Sequence, residues 1–256
     1  MLKISNVKIY GLEESIVASG YPMLSKAYSV GEFEDRVADI NSIVFFEGNS
    51  KADLTEAEKR IKTAKHLGSV PNGTGHDNFL RGIVVQYDVK YPVYWSPQFQ
   101  RYSGYSDIVS SQSAMHRLVK MNLDESFNEF VVPEIKEEIK NMIEVYNDAL
   151  SKGNKTVAKI IEYGSMREIR TMRFSSKTNG IMKLPEEVIV EIPIEDLYMY
   201  IISSCPQGLE KTMRVSTNYL QLKTIWKQRR NHKLYDWQNF CDWIETLPFF
   251  KELTGI

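Results

Sequence analysis

Ile83-Val84-Val85-Gln86-Tyr87-Asp88-Val89 leads through Lys90-Tyr91-Pro92-Val93-Tyr94-Trp95 into Gln98-Phe99-Gln100-Arg101-Tyr102-Ser103. The first run is rich in β-branched and aromatic residues, which suit a pleated and buried surface, so a strand is expected over 83–89. Just upstream stand Gly75-His76-Asp77-Asn78-Phe79-Leu80-Arg81 and a loop over Val70 to Gly75 that holds Pro71, Gly73 and Gly75. Near the start of the chain, Leu2, Ile4, Val7 and Ile9 nearly alternate with polar residues and read as a strand. Gly11 ends it, and Leu12 to Ala18 reads as a short helix. Thr55-x-x-Glu58 is a capping box, with Ala57, Ile61, Ala64 and Leu67 following at helical spacing and Gly68 as the expected stop.

Downstream, Ile135, Ile139, Met142, Ile143, Tyr146 and Leu150 mark an amphipathic helix closed by Gly153. Glu186 to Ile192 reads as a strand and Ile194 to Ser203 as a helix that stops before Pro206. Asn218 to Trp243 reads as one or two basic helices, with Leu220, Ile225, Leu234, Trp237 and Phe240 among the apolar positions. No repeat, low-complexity tract or linker interrupts the series. The expectation is a single domain over 1–256 of the α+β class, a central mixed or antiparallel sheet with long helices.

Composition narrows the function. The 256 residues carry a formal net charge of -1, so the overall field steers the chain toward neither nucleic acid nor membrane, and any anion site is local. Cys205 and Cys241 are two isolated thiols, which suit a reducing compartment and a cytoplasmic protein. His66, His76, His116 and His232 form no His-x-x-x-His pair and the cysteines no Cys-x-x-Cys pair, so no metal site is expected. The N-terminal residues lack the pattern of a signal peptide, and no apolar run approaches the ~18 residues of a membrane span.

Two regions concentrate polar chemistry. Tyr94 to Arg117 interleaves Tyr94, Trp95, Phe99, Tyr102 and Tyr105 with Gln98, Gln100 and Arg101, and continues through Ser110, Ser111, Gln112 and Ser113. Aromatic faces with amides and hydroxyls suit a planar ring and its edge; the same residues also suit core aromatics beside a polar helix start. Lys227-Gln228-Arg229-Arg230-Asn231-His232-Lys233 suits a phosphate or carboxylate, or else a solvated helix face. There is no phosphate loop, no Gly-x-Gly-x-x-Gly and no nucleophile elbow.

Taken in order, these pieces resemble the flavin-dependent thymidylate synthases. That family places Gly-His-x-Ser/Thr-Pro-Phe/Leu-Glu before a strand, matched by Gly75 to Arg81. A proline-containing turn and Gln-Φ-x-Arg-His-Arg follow, where Φ is apolar, matched by Gln98 to Ser103. Asn-Glu-x-Ser-x-Arg-Tyr comes next, matched by Ser110 to His116. Near the C-terminus the family has Leu-Pro, an asparagine twelve residues after the proline and an arginine eleven further on; Cys205-Pro206, Asn218 and Arg229 keep both intervals.

The resemblance implies a thymidylate-synthase-complementing-protein-like fold. In the family, reduced FAD delivers hydride and methylenetetrahydrofolate donates the carbon that methylates deoxyuridylate (dUMP), with NADPH reducing the flavin. His76, Arg101 and Asn218 are then the implied FAD contacts, and Gln98, Ser113 and Arg229 the implied dUMP contacts. The departures are specific. Tyr102-Ser103 stand for the family's His-Arg, Ser111 for its glutamate, and Met115 and Ile202 for two arginines that hold phosphate. Two lost charge-assisted contacts weaken a phosphate ligand by about two to four decades unless Arg117 or Arg230 replaces them. Residues 155–195, with Arg167, Arg170 and Arg173, read as an insertion relative to the family. The alternative is a non-catalytic or repurposed nucleotide-binding or interaction protein on the same scaffold. The family's flavin sites lie between subunits of a homotetramer, so light scattering is expected to give the mass of a tetramer. A monomer at micromolar concentration would count against the carried-over site as well as the assembly.

Overall fold

Among residues 2–45, 55–102, 104, 106–162, 171–175 and 187–256, which the computed structural model describes, helices and antiparallel strand pairs combine as expected. In chain order the elements are β1 Lys3–Tyr10, α1 Leu12–Ala18, α2 Val30–Phe45, α3 Glu56–Ser69, β2 Val84–Pro92, α4 Ser96–Phe99 and β3 Asp107–Ser111. Then follow α5 Ala114–Arg117, α6 Leu123–Ser126, α7 Pro133–Ser151, β4 Thr156–Glu162, β5 Thr171–Ser175 and β6 Glu187–Pro193. The chain closes with α8 Ile194–Ser204, β7 Glu210–Asn218, α9 Tyr219–Arg229, α10 Tyr235–Ile244 and α11 Phe250–Thr254. The strand expected from Glu186 is β6, Glu186 itself lying outside the described residues. The basic C-terminal stretch is two helices, α9 and α10. The strands β3, β4, β5 and β7 and the long helix α2 were not anticipated.

The backbone forms two compact units. The first holds Met1–Tyr91, Trp95–Ser111 and Thr212–Ile256. Its sheet has the order β1-β2-β7-β3, with β1 antiparallel to β2 and β3 antiparallel to β7. Val85, Tyr87 and Val89 of β2 and Met213, Val215 and Thr217 of β7 are buried, while the alternate residues are half-buried. This period of two sends one face into the core. Beneath it Tyr87, Trp95, Phe99, Trp237, Phe240 and Trp243 pack edge-on, tilted or stacked at 4.6–6.1 Å between ring centroids. Such ring pairs contribute about 0.5–1.5 kcal/mol each beyond their burial. Trp95 and Phe99 are therefore core residues, and Tyr102 packs edge-on against Trp237.

The capping box of α3 is present: Thr55 Oγ1 accepts from Glu58 N at 3.2 Å and Glu58 Oε2 accepts from Thr55 N at 2.6 Å. Gly68 does not stop this helix, which runs on to Ser69. A Cβ on Gly68 would stand 2.0 Å from the Leu253 carbonyl oxygen, so the glycine is there to let α11 approach α3. Gly11 has a different duty: its φ of 73° is left-handed, and it turns β1 into α1.

The second unit holds Pro92–Tyr94 and Gln112–Lys211. Helices α7 and α8 share a core with Leu118, Phe127, Ile139, Met142, Leu197 and Ile201. The stretch 155–195 contributes an antiparallel sheet of order β5-β4-β6, paired from Thr156↔Pro193 to Glu162↔Glu187. Arg167, Arg170 and the Arg173 side chain lie outside the described residues.

Lys223 of α9 is fully buried beside Asp77, itself 2% exposed. Its ammonium donates to Gly68 O at 2.8 Å, Val70 O at 2.7 Å and Asp77 Oδ2 at 2.9 Å, which uses all three N–H groups. Removing one partner of a buried pair leaves the other charge uncompensated, at about 3–5 kcal/mol. Lys223→Ala is thus expected to lower unfolding stability by about that amount in urea denaturation, far more than an exposed Lys62→Ala at about 0.5 kcal/mol or less.

Candidate functional site

The loop that carries His76 is tied to α9. Besides the Lys223 bonds, Asn72 Nδ2 donates to Thr224 Oγ1 at 2.7 Å and Lys227 Nζ donates to Asn72 Oδ1 at 3.2 Å. His76 stays exposed while its neighbour Asp77 is buried. Arg101 is exposed as well. Asn218 is the N-cap of α9, its Oδ1 accepting from Gln221 N at 3.0 Å, so a structural role accounts for the asparagine by itself. Among the described residues no hydrogen bond or ion pair joins His76, Arg101 and Asn218 to one another.

Gln98 and Arg229, by contrast, meet on one tryptophan. Trp237 Nε1 donates to Gln98 Oε1 at 2.9 Å. An indole N–H only donates, so the Gln98 amide must present its oxygen inward and its NH₂ away from the ring. The Arg229 guanidinium carbon lies 4.8 Å from the centroid of a Trp237 ring and 5.7 Å from that of Tyr102. Arg229 Nε donates to Tyr102 Oη at 2.9 Å, and Tyr102 Oη donates to Gln228 Oε1, also at 2.9 Å. Holding a long side chain still costs up to ~2 kcal/mol of rotamer entropy. A hydrogen bond of about 1 kcal/mol and cation–π contacts of about 0.5–2 kcal/mol offset that cost. No carboxylate among the described residues pairs with Arg229, although it is only half-exposed.

Helical geometry separates the rest of the basic run. Arg230 turns the other way, to the Asp242 carboxylate and to Glu245 Oε1 at 3.4 Å. Asp242 holds its guanidinium pKa above the ordinary value. Arg230 is therefore held in ion pairs with Asp242 and Glu245.

Ser113 belongs to the second unit, half-buried at the start of α5 with no side-chain cap bond. Met115 is exposed and Ile202 packs against the second unit's core. Ser103 and Tyr105 lie outside the described residues. Sequence reading missed Tyr102, Gln228, Trp237 and His232 as members of one cluster. Trp237 registered only as an apolar helix position, and no local pattern joins it to Gln98, 139 residues away.

A cavity of about 420 Å³ lies elsewhere, lined by Glu13, Glu14 and Phe33, Glu34, Val37, Ala38 and Asn41 of α1 and α2; none of the expected site residues lines it. Among the described residues no group of His, Cys, Asp and Glu is arranged to hold a metal, and no helix is long and apolar enough to cross a membrane.

No protein-family model matches the sequence, and no curated protein matches it either. Solved structures do match. Thymidylate Synthase X (ThyX) from Helicobacter pylori with FAD and dUMP superposes with a TM-score of 0.55 at 13% identity, covering 99% of this chain and 97% of that one. The fold is ThyX-like. A second structure, flavin-dependent thymidylate synthase ThyX from Helicobacter pylori complexed with FAD and dUMP, gives a TM-score of 0.50 at 13% identity over 98% and 97% of the two chains. A ThyX-like fold at this identity speaks to architecture, and the site residues must carry the function on their own chemistry.

His232 offers a check on the cluster. Burial, and then the Arg229 charge, lower its pKa from the usual 6.5. Its Nδ1 accepts from Leu234 N at 3.1 Å, which requires the unprotonated nitrogen. The neutral imidazole is favoured on folding, so its contribution to stability is complete above the unfolded pKa and is lost as pH falls through the folded one. A proton NMR titration is expected to place the His232 midpoint below 6.5. Arg229→Ala should raise it part of the way back, since burial remains the larger cause.

Proposed function

We propose that this chain is a divergent ThyX-like protein that binds a pyrimidine nucleotide such as dUMP at Arg229 and Gln98. The observation that carries the reading is the half-buried Arg229 guanidinium, held by Tyr102 and Trp237 without a carboxylate partner. Gln98, on the same tryptophan, turns an NH₂ donor away from the indole, a group that suits a pyrimidine carbonyl. Ser113 is carried into the nucleotide set by the sequence resemblance alone. The single ThyX-like domain, the homotetramer and the cytoplasmic setting belong to the same proposal.

FAD fits the exposed residues. His76 and Arg101 face solvent, where a cation and an imidazole suit a dinucleotide's phosphates, and Asn218 retains its amide NH₂ after its oxygen caps α9. Bound there, the flavin would supply hydride chemistry, with methylenetetrahydrofolate and NADPH as co-substrates. The protein's share is to bind and orient. Tyr102, however, is buried and committed to Arg229 and Gln228, so its hydroxyl is not a flavin contact.

Met115 and Ile202 favour a second reading, a scaffold retained for interaction after the phosphate arginines were lost. Calorimetric titration of dUMP and FAD separates the two. Under the nucleotide reading, Arg229→Ala weakens dUMP binding by about 1.5–3 kcal/mol with folding unchanged, and Arg229→Lys recovers little of it. Arg230→Ala should shift binding by no more than about 0.5 kcal/mol. A colourless protein that binds neither FAD nor dUMP supports the scaffold instead. Rescue of a thymidine-requiring host tests catalysis directly.

A further inference from the structure

A guanidinium offers a planar oxyanion two edges, the side-on pair of Nε with one terminal nitrogen and the end-on pair of both terminal nitrogens. In Arg229 the side-on edge is taken, because Nε donates to Tyr102 Oη at 2.9 Å. The hydroxyl is held in turn by Gln228 Oε1 at 2.9 Å, and the Tyr102 ring by edge-on packing at 6.0 Å on Trp237. Trp237 also lies 4.8 Å beneath the guanidinium carbon. The guanidinium is thus fixed along one edge and packed on a ring face. Only its end-on edge is left for a ligand, and no carboxylate among the described residues neutralises it.

We propose that Tyr102 is a positioning residue, which orients Arg229 so that its end-on edge seats the phosphate of a nucleotide monophosphate. The proposal deepens the nucleotide reading and rests on it. It also gives the departure from the Arg-His-Arg pattern a physical role. The phenol at 102 accepts from one side chain and donates to another at once, and its ring closes one side of the arginine's cradle.

Tyr102→Phe removes the hydroxyl and keeps the ring, so the aromatic core stays packed. The first readout is the Arg229 Nε–Hε signal in ¹H–¹⁵N NMR, assigned by its loss in Arg229→Lys. In the wild type that proton should be protected and ring-shifted by Trp237; in Tyr102→Phe it should move to the position of exposed arginines. The second readout is calorimetric titration with dUMP, with deoxyuridine and with inorganic phosphate. Loss of one hydrogen bond that orients the guanidinium should weaken dUMP and phosphate about three- to tenfold, while deoxyuridine is unchanged. Arg230→Ala should leave all three affinities as in the wild type. An Arg229 signal identical in wild type and Tyr102→Phe would overturn the proposal, as would equal weakening of dUMP and deoxyuridine. A wild type that binds neither dUMP nor phosphate, with the NMR signal moving as expected, would sink the nucleotide reading and the phosphate seat with it, leaving only a structural Tyr102–Arg229 contact.

Discussion

The ammonium of Lys223 sits where water does not reach and is met by a carboxylate and two backbone carbonyls. A bare buried charge would be intolerable, and a charge with every N–H satisfied is sustainable only if its partners stay in place. That condition ties together three separate pieces of chain. Gly68 and Val70 are the end of α3 and the start of the loop, Asp77 follows His76, and Lys223 lies one turn into α9. The same contact fixes the loop that presents His76 and the helix that presents Arg229. An apolar residue at 223 would pack there, but it would leave two carbonyls and a carboxylate unanswered.

The aromatic layer under the sheet has a parallel effect on the C-terminal helices. Tyr87 of β2 meets Phe240 and Trp243, and Trp95 meets Trp237 and Phe240. Helix α10 is thereby locked to the strand, and Trp237 is held as a core side chain. Its indole N–H and one ring face then become the support for Gln98 and Arg229. The polar cluster is thus an outgrowth of core packing, since the two polar stretches around Gln98 and Arg229 are joined by a tryptophan that reads in sequence only as an apolar helix position. It also explains why the fates of Arg229 and Arg230 differ so sharply. Adjacent positions on a helix are about 100° apart, so one faces the aromatic layer and the other faces Asp242 and Glu245.

Much of the framework was legible because it is written in short-range physics. The alternation in β1, the β-branched and aromatic residues of β2, the Leu12–Ala18 helix, the Thr55–Glu58 cap and the apolar stripe of α7 each depend on residues within a few positions of one another. Helix α2 was not read, although Phe33, Val37, Ile40 and Val44 recur in it at helical spacing. Strand β7 does alternate, with Arg214 and Ser216 between Met213, Val215 and Thr217, but only two of its buried positions carry apolar side chains in that run. Gly68 was read as a helix stop because glycine usually serves that way, whereas here the close approach of Leu253 sets the requirement.

The sequence by itself determined the class of the fold and the elements β1, α1, α3, β2, α7, β6 and α8, while Asn218 and Arg229 were singled out by the resemblance to a family. The elements are products of local periodicity and capping, which act without knowledge of any partner. Only the tertiary structure decided what these residues do for one another. It closed Arg230 in an ion pair, buried Tyr102, set it under Arg229 and brought Gln98 to Trp237. The Tyr102–Arg229 and Gln98–Trp237 contacts join groups 127 and 139 residues apart in the chain. A side chain's chemistry is decided by its burial and by the partner that burial imposes, and neither is encoded in its immediate neighbours.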